Sequence, residues 1–553
     1  MRMALDQLVP PIAPCVRRLA SPHSRAVNNR LLVALLLPSL ACAHAPNARH
    51  MPPPPPPNSL ASEVAAARHE AQALLHTQAE LAWSNWVYGD PLDLAHTYEG
   101  HEALFSKETI AKVKALEAEA HDPLQHRALE YLRVFLGGEL VGRATAPLAD
   151  RAATLQAEAS FQGPDGNEHP FRELERLTAG EKDHRLRVAL YDGSLSVVEK
   201  LNPLLIEREK LTATLLPQLG YPTVQAFSAD LRMADLTALK RDADDLLSRT
   251  DSLYRAAMDR ELRTELGLPL ADARRADIPR FNRSPDLDAF FPADKMVARL
   301  ETTLRGLGID LEKQPNIRID DKQLPSKNPR AVCFPVQVPS DVRLSLKPIG
   351  GVADYRALFH EAGHAEHYAH TTATQFEFQQ LGDNSATEAY AFLLEGLIDD
   401  PLWLADNAGL TGRKLDDFVR ASAVKKLYLL RRYAGKLLFE LGADTGPAEY
   451  QAILTRAYGF PVSTGDSRRY LVDRDDFLYS ADYFRAWFLA AQIEEKLKQR
   501  FGARWWTSAA AGDVLKSLWA AGNALSVEEV AQRLGDPGLK LEPLLRHFEG
   551  ILH

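Results

Sequence analysis

Three residues in the second half of the chain have the types and the spacing of a zinc site. His360, Glu361 and His364 form an HExxH pattern. Two histidines four positions apart lie on one face of a helix, about one turn apart, so both can bind the same zinc ion. A glutamate between them can take a proton from the water that attacks the substrate. The pattern therefore predicts hydrolytic zinc chemistry; the alternative is a solvated helix face with two ordinary histidines.

Glu388 is the predicted third ligand. It lies 28 positions after His360, in a stretch from Ser385 that predicts the start of a second helix. Two histidines and one glutamate would leave the fourth position of a tetrahedral zinc ion open, as catalytic zinc sites require. The alternative is a capping box, in which Ser385 caps the helix and Glu388 bonds back to the N-terminal backbone N–H.

Two further side chains are candidates to support the ligands. Glu395 lies seven positions after Glu388, two helical turns along, so the two carboxylates share a helix face. Glu395 could accept a hydrogen bond from the far nitrogen of a ligating histidine and so fix its tautomer; the alternative is a surface glutamate. His367 shares a face with His360 and is the second supporting candidate.

The surrounding sequence predicts a mostly helical protein. From Leu60 onward, Ala, Leu, Glu and Arg dominate, and apolar residues recur at three- and four-residue spacing. Leu186–Leu215 is predicted to be helical, with a kink or a split at Pro203. The clearest helices are predicted over Leu60–Val87, Lys107–Ala120, Leu236–Leu266 and Lys414–Leu441.

Two strands are predicted directly before the HExxH helix. Ala331–Val338 and Asp341–Leu346 alternate between apolar and other residues, which is typical of β-strands. Pro335 cannot donate a hydrogen bond to a neighbouring strand, so the first strand is predicted at a sheet edge. Gly350 and Gly351 end this region, and the HExxH helix is predicted to start after them.

The N-terminus predicts export. Arginines precede a short apolar run, Leu31–Ala43, which is too short to span a bilayer and is typical of a signal peptide. Residues 1–45 are therefore predicted to be an export signal, followed over 46–59 by a Pro-rich linker with six consecutive prolines. Cys42 could instead be the lipidated first residue of a bacterial lipoprotein. We expect a protein that is periplasmic or lipid-anchored to the bacterial envelope, with no transmembrane helix after the signal.

Charge and cysteine content exclude several classes of partner and site. The formal net charge is −9, and residues 1–50 contain six Arg and one Asp, so the rest of the chain is more acidic still. Nucleic acids and anionic membrane surfaces require basic patches and are therefore not expected as partners. Beyond residue 50 the sequence has a single cysteine, Cys333, which excludes a disulfide framework and a CxxC metal site.

These motifs resemble those of a known enzyme family. His360–His367 is similar to the HExGHxxH of zinc peptidases of the thimet oligopeptidase and oligoendopeptidase F family. Glu388–Glu395 is similar to the ligand glutamate of that family and a second glutamate seven positions later. Angiotensin-converting enzyme and thermostable carboxypeptidases share this skeleton. The resemblance implies one zinc ion per chain and a mostly α, ellipsoidal helical peptidase fold, split by a deep channel, with a small β-sheet beside the HExxH helix.

The resemblance extends to a tyrosine-rich stretch near the C-terminus. Tyr479 and Tyr483 are similar to family tyrosines whose hydroxyls donate to the oxyanion of the tetrahedral intermediate; the alternative is aromatic packing in an amphipathic helix. The family usually has a histidine shortly before this stretch, whereas this sequence has none between His370 and His547. The candidates to replace it are Arg474, Tyr470 and Arg485.

The predicted function is zinc-dependent hydrolysis of peptide bonds in short unstructured peptides by metal-activated water. A metallocarboxypeptidase or dipeptidyl carboxypeptidase is the nearest alternative, and it would need a cation for the terminal carboxylate. A non-catalytic, zinc-stabilised exported binding protein is a third interpretation, but it would be expected to lack the base, and Glu361 is intact. The predicted lobes are a helical N-terminal lobe, 60–328, and a catalytic zinc-peptidase lobe, 329–553. The candidate cations are Arg343, Lys347, Arg474 and Arg485.

Overall fold

The computed structural model describes residues 59–283, 285–442 and 445–553. The predicted export signal, Cys42 and the Pro-rich linker up to residue 58 lie outside the described residues, so the export of the protein stays a prediction. Within the described ranges, every helix is too short or too polar to cross a bilayer.

The protein is mostly helical, as predicted, and side-chain caps start several of its helices. Ser59, Asp122 and Asp235 each accept a hydrogen bond from a backbone N–H in the first turn of the helix that follows. Such caps satisfy donors that have no partner inside the helix. The α-helices of the first half are α1 (Leu60–Tyr88), α2 (Lys107–Glu119), α3 (Pro123–Glu158), α4 (Leu174–Gly180), α5 (His184–Gly193), α6 (Leu195–Leu215), α7 (Val224–Arg232), α8 (Leu236–Leu266), α9 (Ile278–Phe281) and α10 (Met296–Gly306).

The second half of the chain contains the helices that carry the candidate site. The HExxH helix starts directly after Gly351, as predicted, because this glycine adopts a φ of 89° that ends the preceding turn. The α-helices of this half are α11 (Val352–His370), α12 (Phe376–Gln380), α13 (Asn384–Glu395), α14 (Pro401–Trp403), α15 (Arg413–Glu440), α16 (Pro447–Tyr458), α17 (Thr464–Ser467), α18 (Ser480–Phe501), α19 (Ala509–Trp519), α20 (Val527–Arg533) and α21 (Glu542–Leu552).

Two small sheets accompany the helices. β1 (Ser160–Gln162) and β2 (Glu168–Pro170) form an antiparallel hairpin. In the second sheet β5 (Asp341–Ser345) lies in the middle, antiparallel to β4 (Val332–Gln337) and parallel to β3 (Ile317–Asp320). β4 is an edge strand, as the proline within it predicted. β3 was not predicted, since four residues are too few for a clear alternating pattern.

The split predicted as one possibility at Pro203 does not occur there. α5 ends at Gly193 and α6 begins at Leu195, whereas Pro203 lies inside α6. At Gly193 an added Cβ would lie 2.6 Å from the backbone oxygen of Gln162, so the chain passes close to β1 there. The hydroxyl of Ser194 donates to the backbone oxygen of Tyr191 at 2.6 Å. This side-chain bond competes with regular helical bonding and places the break nine residues before the proline.

The main hydrophobic core surrounds the helices of the candidate site. It runs from Leu239 to Leu552 and includes buried apolar residues of α8, α11, α13, α15 and α18. A second cluster joins α1 and α3 to Phe376 and Phe378 of α12. Both clusters combine residues from before and after position 328, so the predicted lobes share their cores, and the division into two lobes stays a prediction.

Candidate metal centre

Two helices that pack very closely bring the predicted ligands together. His360 and His364 lie on α11, and Glu388 lies on α13. Gly363 makes the close approach possible, because a Cβ there would lie 2.5 Å from the Cα of Ala391 and from the backbone oxygen of the residue before it. Any larger residue at this position would push the two helices apart and separate the histidines from the glutamate.

The three side chains form a compact group of potential metal ligands. One ligand atom from each of His360, His364 and Glu388 can be chosen so that all three lie within 4.8 Å of one another. Oε2 of Glu388 lies 3.4 Å from Nε2 of His360 and 3.7 Å from Nε2 of His364. This oxygen is buried and has no hydrogen-bond partner of acceptable geometry. A buried carboxylate oxygen without such a partner is costly, so a cation held between these atoms fits the site.

The Nδ1 atoms of both histidines form hydrogen bonds within the protein. Nδ1 of His360 lies 2.9 Å from Oε2 of Glu395, and Nδ1 of His364 lies 2.8 Å from the hydroxyl of Thr387. An ionised carboxylate only accepts hydrogen bonds, so Nδ1 of His360 carries a proton and Nε2 is the nitrogen that could bind a metal. The hydrogen bond from a ligating histidine to Glu395 was predicted, whereas Thr387 was missed because nothing in the sequence shows which histidine it faces. Both Nε2 atoms are thereby oriented as ligands.

The capping-box interpretation of Glu388 is wrong. Asp383 is the N-cap of α13, and its Oδ1 accepts a hydrogen bond from the backbone N–H of Ser385 at 2.9 Å. The cap is therefore made without Glu388, whose side chain points towards the histidines instead. Asp383 also forms an ion pair with Arg485 of α18 at 3.0 Å, which joins the start of α13 to the tyrosine-bearing helix.

Charge is distributed unevenly among the three ligand candidates. Burial disfavours the protonated imidazole of His360, but the nearby carboxylates of Glu388 and Glu395 outweigh it and raise the pKa of His360 well above the ordinary value. Burial lowers the pKa of His364 to about 4. Burial also opposes ionisation of Glu388, yet the two histidines and a tyrosine hydroxyl lower the pKa of its carboxyl overall. Glu388 is thus held as an anion, the form in which a carboxylate binds metal.

Glu361 lies between the histidines and faces the same cavity. Its Oε2 accepts a hydrogen bond from the backbone N–H of Cys333, in β4, at 2.7 Å. Burial raises the pKa of Glu361 to about 7, although the charge of His360 and the bond from Cys333 act in the opposite direction. A carboxyl group with a pKa near neutrality is suited to accept and then release a proton.

The two predicted tyrosines have different surroundings. The hydroxyl of Tyr479 donates to Oε1 of Glu388 at 3.0 Å, so Tyr479 orients a ligand candidate. Tyr483 lies one helical turn further along, lines the cavity and packs against Tyr479 with ring centres 5.1 Å apart. The ring of Tyr483 also packs against that of Trp487, with ring centres 6.2 Å apart. Both tyrosines line the cavity, and Tyr479 is the one whose hydroxyl contacts a ligand candidate.

Arg232, at the end of α7, was missed by the sequence analysis and holds Tyr479 in place. Its guanidinium carbon lies 4.8 Å from the centre of the Tyr479 ring. The same guanidinium pairs with Asp482 at 2.6 Å and donates to the backbone oxygen of Phe477 at 3.0 Å. Phe477 and Leu478 have φ values of 47° and 58°, which are unusual for bulky residues. Arg232 thus stabilises an uncommon turn directly before Tyr479.

Other predicted candidates lie apart from the cluster. His367 is buried against the rings of Tyr390 and Tyr368, with centres 5.0 and 5.4 Å away, and burial lowers its pKa to about 3. In the part of the chain that the structure describes, no hydrogen bond joins His367 to the three ligand candidates. Arg485 is buried in its ion pair and does not line the cavity, whereas Arg474 does.

A single large cavity opens onto the cluster. Its volume is about 1660 Å³, and it is lined by residues of α3, α6, β4, α11, α13 and α15 and of the segment 471–483. His360, His364, Glu361 and Glu388 all contribute to its wall. The predicted channel beside a small sheet therefore has a counterpart in a cavity bordered by β4.

No protein family model matches the chain, and no curated protein matches its sequence. The resemblance to the thimet oligopeptidase and oligoendopeptidase F family therefore rests on the motifs at 360–367, 388–395 and 479–483 alone.

Proposed function

We propose that the protein is a zinc-dependent peptidase that hydrolyses short unstructured peptides. The observation that carries the proposal is the group formed by His360, His364 and Glu388, with Glu361 beside it, on the wall of a large cavity. A zinc ion bound there would supply Lewis-acid chemistry, lowering the pKa of water and polarising a carbonyl group. Two imidazole nitrogens and one carboxylate oxygen are the donor set of many catalytic zinc sites.

Glu361 is the proposed general base. Its carboxylate would take a proton from the attacking water and later pass it to the leaving amine. The backbone N–H of Cys333 holds one oxygen of this carboxylate at 2.7 Å, which fixes the side chain and leaves the second oxygen for proton transfer. Because burial raises the pKa of Glu361 to about 7, the carboxyl can both accept and donate a proton near neutral pH.

Tyr483 is the proposed donor to the oxyanion that forms at the scissile carbonyl. A fixed hydroxyl stabilises that charge most strongly in a cavity with little water. Tyr479 has a separate task, because its hydroxyl already donates to Glu388 at 3.0 Å. Tyr479 is therefore a positioning residue for the ligand set, while Tyr483 acts on the substrate.

The shape of the cavity supports a peptide substrate. A volume of about 1660 Å³ exceeds the roughly 300–1,000 Å³ of ordinary small-molecule sites and suits an extended chain of several residues. β4 is the edge strand of its sheet and lines the cavity, so a peptide could add to it as a further strand. The N–H of Cys333 is taken by Glu361, so the peptide must pair with other groups of this edge.

Incubation with a mixed peptide library tests the proposal. Mass spectrometry of the products should show cleavage by the zinc-loaded protein, loss of cleavage with a chelator, and recovery when zinc is restored. Absence of any cleavage by protein that demonstrably contains one zinc ion per chain would contradict the peptidase proposal and favour the non-catalytic binding protein.

A further inference from the structure

The cavity wall formed by α15 presents a cation that forms no ion pair with a carboxylate of the described residues. Arg432 lines the cavity next to Tyr433, and its guanidinium carbon lies 5.5 Å from the centre of that ring. Among residues 59–283, 285–442 and 445–553, no carboxylate forms an ion pair with Arg432. The contacts of Arg432 with Tyr433 are not contacts with an ionised carboxylate, so the partly buried guanidinium can still bind an anion.

Four other cations of the cavity wall differ from Arg432 in having acidic partners, while Arg330 also lines the cavity and its charge acts on Glu361 at the metal cluster. Lys436, one turn further along α15, pairs with Asp475 at 2.7 Å. Arg474 pairs with Glu209. The remaining pairs are Arg208 with Asp476 and Arg356 with Asp399. Each of these cations is occupied in holding the wall together, so none offers a full charge to a ligand.

The acidic side chain whose charge acts on Arg432 is itself occupied. The charge of Asp473 raises the pKa of Arg432, but Asp473 forms its ion pair with Arg275. Nη2 of Arg275 lies 2.7 Å from Oδ1 of Asp473. The hydroxyl of Tyr450 also donates to Asp473. Asp473 is therefore shared with Arg275 and forms no ion pair with Arg432.

Aromatic contacts connect Arg432 with the end of the cavity that holds the metal cluster. The ring of Tyr433 lies 5.3 Å from that of Tyr483, which lies 5.1 Å from that of Tyr479. The hydroxyl of Tyr479 donates to Glu388. A substrate that reaches the metal cluster past Tyr483 would therefore extend towards the α15 wall.

The structure argues against each cation that the sequence suggested for a terminal carboxylate. Arg343 forms ion pairs with Asp341 and with Glu80, whose Oε1 lies 2.6 Å from the guanidinium. Lys347 does not line the cavity. Arg485 is buried in ion pairs, and Arg474 is paired with a glutamate.

We propose that Arg432 binds the C-terminal carboxylate of the substrate, so that the protein removes short fragments from the C-terminal end of peptides. This inference rests on the proposed peptidase function. A guanidinium can bind both oxygens of a carboxylate with two parallel hydrogen bonds, which gives orientation as well as affinity. Cleavage would then occur at a fixed distance from the terminus, set by the span between Arg432 and the metal cluster.

The test compares an N-acetylated alanine peptide that has a free C-terminal carboxylate with the same peptide as a C-terminal amide. The zinc-loaded protein should cleave the acid about 10- to 100-fold better in kcat/KM, the range expected for a charge-assisted pair of hydrogen bonds. Arg432→Gln should reduce cleavage of the acid to the level of the amide and leave cleavage of the amide unchanged. A third peptide, an amide with one glutamate near its C-terminus, distinguishes a terminal from a side-chain carboxylate.

Arg474→Gln is the matched control, because it removes the same charge from the same cavity wall at a residue that is already paired. It should retain the preference for the acid. Calorimetric titration of the zinc-free protein with the same acid and amide measures recognition without catalysis and should show the same Arg432-dependent difference.

Equal cleavage of acid and amide by the wild type would overturn the role of Arg432 while leaving the peptidase proposal intact. A preference that follows the internal glutamate, or one that survives in Arg432→Gln, would also overturn it. Binding of the acid through Arg432 without cleavage of any peptide would support Arg432 and contradict the peptidase proposal.

Discussion

Two walls of the same cavity differ in how their polar groups are paired. On the wall formed by α11, α13 and α18, each ligand candidate has an assigned partner: Glu395 for His360, Thr387 for His364 and Tyr479 for Glu388. On the wall formed by α15, Arg432 has no anionic partner among the described residues. The first wall is already bonded to hold one geometry, whereas the second keeps a charge available for a ligand.

This difference separates two kinds of requirement within one cavity. The proposed hydrolysis needs side chains that are fixed to within a fraction of an ångström. Hydrogen bonds from the residues behind the ligand candidates hold them in place. Recognition needs a group that is not satisfied until the substrate arrives. Changes to the first wall should therefore abolish metal binding or turnover, while changes to the second should alter the choice of substrate.

The largest effect is expected from removal of the ligand carboxylate on the first wall. Glu388→Ala should abolish stoichiometric zinc binding and reduce peptide cleavage to background, because two histidines alone hold zinc weakly. Elemental analysis and the peptide assay measure the two effects. Glu209→Ala, which removes a cavity carboxylate outside the cluster, should keep both zinc and activity. Full zinc content in Glu388→Ala would remove Glu388 from the ligand set.

A smaller but still large effect is expected from the base. Glu361→Gln keeps the size of the side chain and an oxygen that can accept the bond from the backbone N–H of Cys333, but it cannot accept the proton. Zinc content should stay at one per chain while kcat falls by about 10²–10⁴-fold. Elemental analysis and steady-state kinetics on one preparation make the comparison. Wild-type turnover in this variant would refute the proposed role of Glu361.

The next largest effect on turnover is expected from Tyr483, the proposed donor to the oxyanion. Tyr483→Phe removes one hydroxyl and keeps the ring packing against Tyr479 and Trp487, so kcat should fall about 10²–10³-fold with little change in KM. Tyr433→Phe is the matched control, since it removes a neighbouring hydroxyl from the same cavity. Near-normal kcat for Tyr483→Phe would assign its ring to packing.

The smallest effect on turnover is expected from Tyr479. Tyr479→Phe loses the hydrogen bond to Glu388, so zinc affinity should fall about 10- to 100-fold while kcat of the zinc-saturated enzyme stays close to normal. Competition with a chelator of known affinity measures the zinc affinity, and kinetics at saturating zinc measure kcat. Unchanged zinc affinity together with a large loss of kcat would reverse the roles assigned to Tyr479 and Tyr483.

Local patterns in the sequence predicted many of the elements and suggested the ligand candidates. The spacing of His360 and His364 depends only on helical geometry, which is the same in any helix of this sequence. The edge position of β4 followed from one proline, whose missing N–H excludes it from the middle of a sheet. The start of α11 followed from a glycine pair. Such predictions succeed because the physical cause lies within a few residues of the effect.

Tertiary structure decided which partners these residues meet. Gly363 permits the close contact of α11 and α13, and Arg232 reaches Tyr479 across about 250 positions of sequence. Lys436 pairs with Asp475, whereas Arg432 forms no ion pair with an acid of the described residues. Pairing of charges and approach of helices depend on side chains far apart in the chain, and local patterns contain no information about them. The sequence by itself therefore determined which groups could bind a metal, and the fold decided which cavity cations are paired with acids.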